Sequence, residues 1–389
     1  KKIRLDDLLE IKRGGSPRPI NKYTTDDING INWIKISDTT DSKYITSTKE
    51  KIIPKGVKKS RLVKPGDFLL TNSMSFGRPY IVKTEGCIHD GWLLLRPKSN
   101  NILDDYLYYI LGSPTLKREF EKQAKGTTVK NLNISLVSKV EIPLPSLSEQ
   151  KAIVAKLDRA QRLIDIDKKM LAKYDELIQS VFLEMFGDPV TNPKGFKKGS
   201  IRDIVGETKY GTNKKAHETE GKYPVIRMGN LLYNGEWDFT DMKYCDLEEK
   251  ELPKYLVHKG EILFNRTNSK ELVGKTGVYR KEEPMAYAGY LIRVRPNDKA
   301  TSEYISGYLN CPHGKLVLEH MCKNIVGMAN INAQELQDIK ILIPPIELQK
   351  KYKSKVKKIR EHKNLIEKEI KKSEELFSSL VQEAFSNDL

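Results

Sequence analysis

No stretch of the 389-residue sequence approaches the ~18 consecutive apolar residues of a membrane-spanning helix, which excludes an integral membrane protein of that kind. No apolar core follows the charged start Lys1-Lys2-Ile3-Arg4, so a secretory signal is not expected; the missing initiator Met suggests numbering that begins inside the gene product. Cysteine is scarce: Cys87, Cys245, Cys311 and Cys322 are widely spaced, which argues against a disulfide scaffold and for free thiols in a reducing cytoplasm. Catalytic motifs are lacking as well. Gly274-Lys275-Thr276 resembles the end of a phosphate loop, but Ser269 stands where its first glycine belongs. There is no Asn/Asp-Pro-Pro-aromatic segment for holding a flipped adenine and no convincing nuclease Pro-Asp…Asp/Glu-x-Lys pattern. Cys311/His313 and His320/Cys322 are each two apart, which on a helix points them to different faces rather than at one zinc ion. No metal ligands are expected.

Acid is also short relative to base. Lys and Arg number 68 against 52 Asp and Glu, a formal charge of +16. That favours a polyanionic partner without separating nucleic acid from a membrane surface.

What the sequence does have is a repeat of long period. Leu62-Val63-Lys64-Pro65-Gly66-Asp67-Phe68-Leu69 returns as Leu256-Val257-His258-Lys259-Gly260-Glu261-Ile262-Leu263. Asp105-Tyr106-Leu107 returns as Glu303-Tyr304-Ile305, and Asn131-Leu132-Asn133 as Asn330-Ile331-Asn332. Leu144-Pro145-Ser146-Leu147-Ser148-Glu149-Gln150 returns as Ile343-Pro344-Pro345-Ile346-Glu347-Leu348-Gln349. The offset grows from 194 residues at Leu62/Leu256 to 199 at Gln150/Gln349, so insertions fall early and the later part keeps register. A duplicated domain followed by a tail explains this; a solenoid does not.

The tails read as helices. Ile153, Leu157, Ala160, Ile164, Leu171, Tyr174, Ile178, Val181 and Met185 step by threes and fours, with Asp167 as interruption. The second copy repeats the pattern through Tyr352, Val356, Ile359, Ile366, Ile370, Phe377, Leu380 and Ala384, broken at Lys363 and Ser373. A seam sustained this long predicts a coiled coil, or two amphipathic helices each packed on its own domain. About 38 helical residues span ~57 Å. Lysines crowd the second tail from Lys350 to Lys372, as a solvated face or as a contact with phosphates or acidic helices. Short apolar runs bounded by Gly, Pro, Asn and Asp give strands in each half, with one helix each at 104–122 and 302–323. The fold class is α+β. The expected divisions are a domain at 1–145, a helix at 146–186, a linker at 187–199, a domain at 200–344 and a helix at 345–389.

Loops rich in Gly, Arg, Asn, Ser and Thr sit at matching places in the two copies. These are the types that bond phosphates and base edges. In copy one the candidates are Arg13, Gly14, Gly15, Ser16, Arg18, Lys35, Ser37, Asn72, Ser73, Ser75, Arg78, Thr127, Thr128 and Lys130. In copy two they are Tyr210, Gly211, Thr212, Asn213, Lys214, Lys215, Arg227, Asn230, Arg266, Thr267, Asn268, Ser269 and Lys275.

With its repeated Ile142-Pro143-Leu144-Pro145-Ser146-Leu147-Ser148-Glu149-Gln150-Lys151-Ala152-Ile153-Val154 segment, and Phe186-Gly187-Asp188-Pro189 closing the first helix, the chain resembles the specificity subunits of type I restriction–modification systems. Leu348 stands where Glu149 would recur, a departure within the second copy. The resemblance implies two target-recognition domains, each reading half of a split asymmetric double-stranded DNA site. The two helices would form an antiparallel coiled-coil spacer with pseudo-twofold symmetry. Two modification subunits carrying S-adenosylmethionine, and two restriction subunits using ATP and Mg, would complete the complex; the chain itself would bind no cofactor and hold no catalytic residue. It also implies that the helices meet those subunits, through Gln150, Ile153, Leu157, Ile164, Leu171, Ile178, Val181, Gln349, Val356, Ile366, Ile370, Phe377 and Leu380. Two other readings stay open: a stand-alone DNA-modifying enzyme with diverged motifs, and a coiled-coil scaffold for proteins.

Overall fold

The computed structural model describes residues 2–72, 77–123, 132–322 and 328–386. The chain forms two compact units. Unit 1 is Lys1–Asp167 with Glu369–Leu389; unit 2 is Lys168–Lys368.

Unit 1 carries two five-stranded sheets. One runs in the order Leu9–Arg13, Trp92–Pro97, Phe68–Thr71, Pro79–Val82, Tyr44–Ile45; the other runs Thr24–Thr25, Glu50–Ile52, Ile31–Ile34, Gly86–Ile88, Arg61–Val63. Successive residues of a strand face opposite ways. Leu93 and Leu95 therefore join Phe68 and Leu70 in a core with the helices, while Trp92 and Leu94 join Leu69, Ile34, Val63 and Ile88 between the sheets. The result is three layers: helices, sheet, sheet. Unit 2 repeats it with two four-stranded sheets. Ile292 and Val294 face the helical side, and Leu291 packs with Ile226, Val257 and Tyr287 between the sheets.

The repeated motifs are framework. Gly66 and Gly260 take φ of +93° and +90°, which suits glycine, in turns that bring Asp67 and Glu261 back onto the backbone N–H groups of Lys64 and His258. Asp67, 1% exposed, then accepts from Arg96 Nε and Nη2 at 2.6 Å each; Glu261 pairs with Arg295. Asn133 and Asn332 cap the helices Ile134–Ser138 and Ala333–Asp338. Tyr106 and Tyr304 donate to the carbonyls of Pro143 and Leu342, at 3.0 and 2.5 Å, just ahead of each long helix.

Two expectations change. The single helix expected at 104–122 is two, Asp104–Leu111 and Pro114–Gln123; that at 302–323 is Ser302–Asn310 and Pro312–Met321. Pro114 and Pro312 lack the N–H an uninterrupted helix needs and start new ones instead. The Cys311 thiol accepts from Gly314 N as the cap of the latter, and burial pushes it up. Among the described residues no cluster of His, Cys, Asp and Glu suits a metal, and no helix is long and apolar enough to cross a membrane.

The long helices are Leu147–Phe186 and Ile346–Ser386. Ser146 and Glu149 form a reciprocal cap on the first, at 2.8 Å from Ser146 N to Glu149 Oε2. Within unit 1, Leu157 of the first helix and Val381 and Phe385 of the second share the core of Tyr106 and Leu107. Within unit 2, Phe182 and Phe186 of the first helix pack against Tyr352 of the second and Tyr304, with ring centroids 4.8–5.9 Å apart.

Candidate nucleic-acid interface

In unit 1 the loop that follows Leu9–Arg13 is drawn onto one carboxylate, Asp90. Ser16 Oγ donates to Asp90 Oδ1 at 2.8 Å and Arg18 Nη2 to Oδ2 at 3.3 Å. The Asp90 carbonyl accepts from Arg13 Nε at 3.2 Å and Asn72 Nδ2 at 2.8 Å. The Ser16 hydroxyl holds the Asp90 carboxyl below the usual carboxylate range. Gly14 has no room for a side chain, since a Cβ would stand 2.0 Å from the His89 carbonyl oxygen. Three candidates of one loop, Arg13, Ser16 and Arg18, and a fourth, Asn72, 54 to 59 residues further along the chain, thus converge on a residue that sequence reasoning missed, in the turn His89-Asp90-Gly91. Arg18 remains 81% exposed despite its pair. Beside it, Pro17, Pro19, Ile20, Trp33, Lys35 and His89 line a hollow of about 680 Å³. Lys35 pairs with Glu50, Ser37 is exposed, and Arg78 reaches Thr40 O at 3.3 Å while lying over the Tyr80 ring.

In unit 2 Tyr210 is the platform. Arg266 lies over its ring with 4.9 Å to the centroid, and the Tyr210 hydroxyl accepts from Ala333 N at 2.9 Å. Arg266 Nε is buried with no hydrogen-bond partner. A stacked, planar guanidinium of this kind is suited to a base edge or phosphate. Asn213, Lys214 and Lys215 are exposed, with Lys214 paired to Glu251 at 2.5 Å; Arg227 pairs with Asp241 at 2.8 Å. Thr267 and Asn268 form a short strand with Ala329–Asn330, and Ser269 N donates to Asn268 Oδ1.

Several candidates are occupied by the fold itself. Asn72, Thr212, Asn230 and Lys275 are buried, and Gly15 and Gly211 lie against backbone. Asn230 Nδ2 donates to the carbonyls of Asp238 and Asp241, both at 2.9 Å. Lys275 Nζ donates to Met228 O at 2.7 Å, and burial lowers its pKa. The side chains of Asn72, Thr212, Asn230 and Lys275 are buried and bonded to nearby backbone, so they shape loops rather than face the surface. Ser73, Ser75, Thr127, Thr128 and Lys130 lie outside the described residues.

The helix residues need a parallel correction. Gln150 and Gln349 are fully buried in their own units. Gln150 donates to the carbonyls of Asn101 and Pro145 and accepts from Leu103 N; Gln349 does the same with Lys299, Pro344 and Thr301. With all three amide bonds made inside the chain, neither glutamine is available to a partner. Leu157, Ile164, Val181, Val356, Ile366 and Ile370 are buried too. Ile153, Ile178, Phe377 and Leu380 pack at the edges of the cores, and Leu171 is half-buried. The large apolar side chains the long helices leave in water are others: Leu147, Leu163, Ile166, Met170, Leu177 and Leu183, then Leu365 and Leu376, from 39 to 59% exposed. Periodicity found the inward stripe; these lie beside it.

Arg266→Ala should weaken DNA binding at the second half of the target, or relax its sequence, by about 1–3 kcal/mol, leaving the first half untouched. Affinity measurements on DNA with either half scrambled check this; equal losses on both would remove Arg266 from the contact set.

The type I restriction modification DNA specificity domain matches twice, over residues 1–173 and 193–375. The specificity subunit of the type I restriction enzyme EcoKI from Escherichia coli K12 is 24% identical over 90% of this chain and 79% of its own length. That of MjaVIII from Methanocaldococcus jannaschii is 24% identical over 96% of this chain and 88% of its own. A chain solved in work on complex assembly and conformational transition of the type I R-M system covers all of this one and 98% of itself, with a TM-score of 0.60 at 17% identity. The chain belongs to the family of type I restriction–modification DNA specificity subunits.

Proposed function

We propose that this specificity subunit reads a split, asymmetric DNA site, one half with each of two recognition regions, 1–145 and 200–344. The long helices run antiparallel between them as a coiled-coil spacer that sets the separation of the half-sites. One helical turn of DNA is ~34–36 Å, within reach of two helices of 40 and 41 residues at 1.5 Å per residue. The observation that carries this reading is the duplication. Two like three-layer units on a chain of net charge +16 each present a basic loop braced by its own framework, by Asp90 in one and Tyr210 in the other.

Two modification subunits dock on the helices, holding S-adenosylmethionine and methylating adenine; two restriction subunits with ATP and Mg complete the assembly in a prokaryotic cytoplasm. The exposed Leu163, Ile166, Leu177, Leu365 and Leu376 support such docking, because apolar side chains left in water on long helices suit a protein partner. In this reading the chain supplies recognition and no catalysis.

The test is duplex binding across salt. With six to ten phosphates neutralised, affinity should fall by roughly 10³-fold or more between 50 and 200 mM salt. Labelled S-adenosylmethionine and DNA should give methyl transfer only after the modification subunit is added. Salt-independent binding would favour a protein scaffold, and methyl transfer by the chain alone a stand-alone enzyme.

A further inference from the structure

The two copies differ where a recognition region meets the long helices. Positions related by the 199-residue offset line a cleft in each unit: Gln161, Phe377, Ser378 and Val381 in unit 1, and Arg360, Ile178, Gln179 and Phe182 in unit 2. In unit 1 the cleft encloses about 1080 Å³; in unit 2 it is reduced to about 50 Å³.

A turn at residues 232–237 reaches the unit 2 cleft. Leu232 N donates to Glu236 O at 2.9 Å, which closes the turn. Asn234 Nδ2 then donates to Asp175 Oδ2 of the first long helix at 3.1 Å. The Glu236 carboxylate accepts from Arg360 of the second long helix and lies 3.9 Å from Lys363 Nζ. Lys363 in turn pairs with Asp175. Asn234, Asp175, Lys363 and Glu236 close a ring that runs from the loop to one helix, across to the other, and back, and Arg360 adds a fifth side chain at Glu236. Lys363 is 7% exposed, and the Arg360 side chain 16%.

Copy one cannot build this ring. The residues at the places of Arg360 and Lys363 are Gln161 and Ile164, neither of them charged. Lys43, in the corresponding stretch of unit 1, turns to Asp105 of its own region at 2.7 Å. An apolar residue such as Ile164 joins helices without desolvating a charge, so a buried Lys363 is not the cheapest way to gain stability. What a lone polar residue in an apolar seam supplies is a fixed register, because any slip leaves its charge unpaired.

We propose that the turn at 232–237 is a clamp, with Glu236 and Asn234 as positioning residues that hold the second recognition region in one register on the long helices. DNA spacer length is then counted strictly from the second half-site. This rests on the spacer role proposed for the helices.

The test uses the full chain with its modification partner. Methylation is measured on DNA carrying the native spacer and spacers one base pair longer or shorter, with thermal unfolding recorded alongside. Glu236→Gln should reduce the preference for the native spacer by about tenfold, the loss expected for one charge-assisted hydrogen bond, with both half-site sequences unchanged. Lys363→Met should act in the same direction, and Glu236→Asp, which keeps the charge, should recover most of the preference. An unchanged preference in Glu236→Gln overturns the clamp. So does an equal loss of methylation at all spacers that tracks a lowered melting temperature, since that is a structural effect alone. If lengthened helices shift the spacer while Glu236→Gln does not alter its tolerance, the clamp fails and the spacer reading stands. If lengthening leaves the spacer as it was, both fail.

Discussion

Four residues inserted after Asp167, with four more after Lys368, should lengthen the DNA spacer by one to two base pairs while leaving both half-sites as they were. The two insertions sit where unit 1 gives way to unit 2 in each long helix. Four residues add ~6 Å of helix against ~3.4 Å per base pair. They also turn the helix by only ~40° beyond one full turn, so the apolar stripe through Ile164, Leu171, Ile366 and Ile370 stays nearly in line. Methylation at the original sites should be lost and replaced at sites with the longer spacer. A two-residue insertion should instead rotate the stripe by about 200° and abolish assembly. Sequencing of modified bases distinguishes the outcomes; a changed half-site with an unchanged spacer would contradict the helical spacer.

The second large effect concerns the framework. Arg96→Met removes the partner of Asp67, a carboxylate 1% exposed, and leaves it with the Lys64 N–H. Removing one member of a fully buried pair costs about 3–5 kcal/mol. The Arg96 side chain is 33% exposed, so water recovers part of this and about 2–3 kcal/mol is expected. Arg295→Met should cost roughly half as much. Glu261 keeps Arg293, 3.9 Å away and itself bonded to Glu207 at 2.9 Å. Denaturant unfolding of the two variants checks this, with unit 1 and unit 2 affected separately. Equal losses would show that the Arg293 contact carries no weight.

Much of the framework is legible in the sequence because it is written twice. The turns at Gly66 and Gly260, the caps Asn133 and Asn332, and the tyrosines 106 and 304 all sit inside recognisable repeats and do the same work in both units. The two long helices declare themselves through an apolar stripe. The breaks at Pro114 and Pro312 were also present in the sequence, but the helical pattern on either side masked them. The interface is less legible, because its geometry depends on pairings far apart in the chain. Asp90 gathers Ser16 and Arg18 from 74 and 72 residues away, and nothing local marks it as their partner. Burial is equally hidden: Asn72, Asn230 and Lys275 have the composition of a DNA-reading loop and are spent on nearby carbonyls. Lys363 appeared as a flaw in the seam, and only the position of Asp175 and Glu236 gives it a partner.

The most direct measurement of the central claim is base-resolution methylation mapping in a genome that expresses this chain with its modification partner. The account predicts one motif in two unlike halves, with a spacer of fixed length and unspecified sequence between them. A single uninterrupted motif, or two halves found at many different spacings, would contradict it.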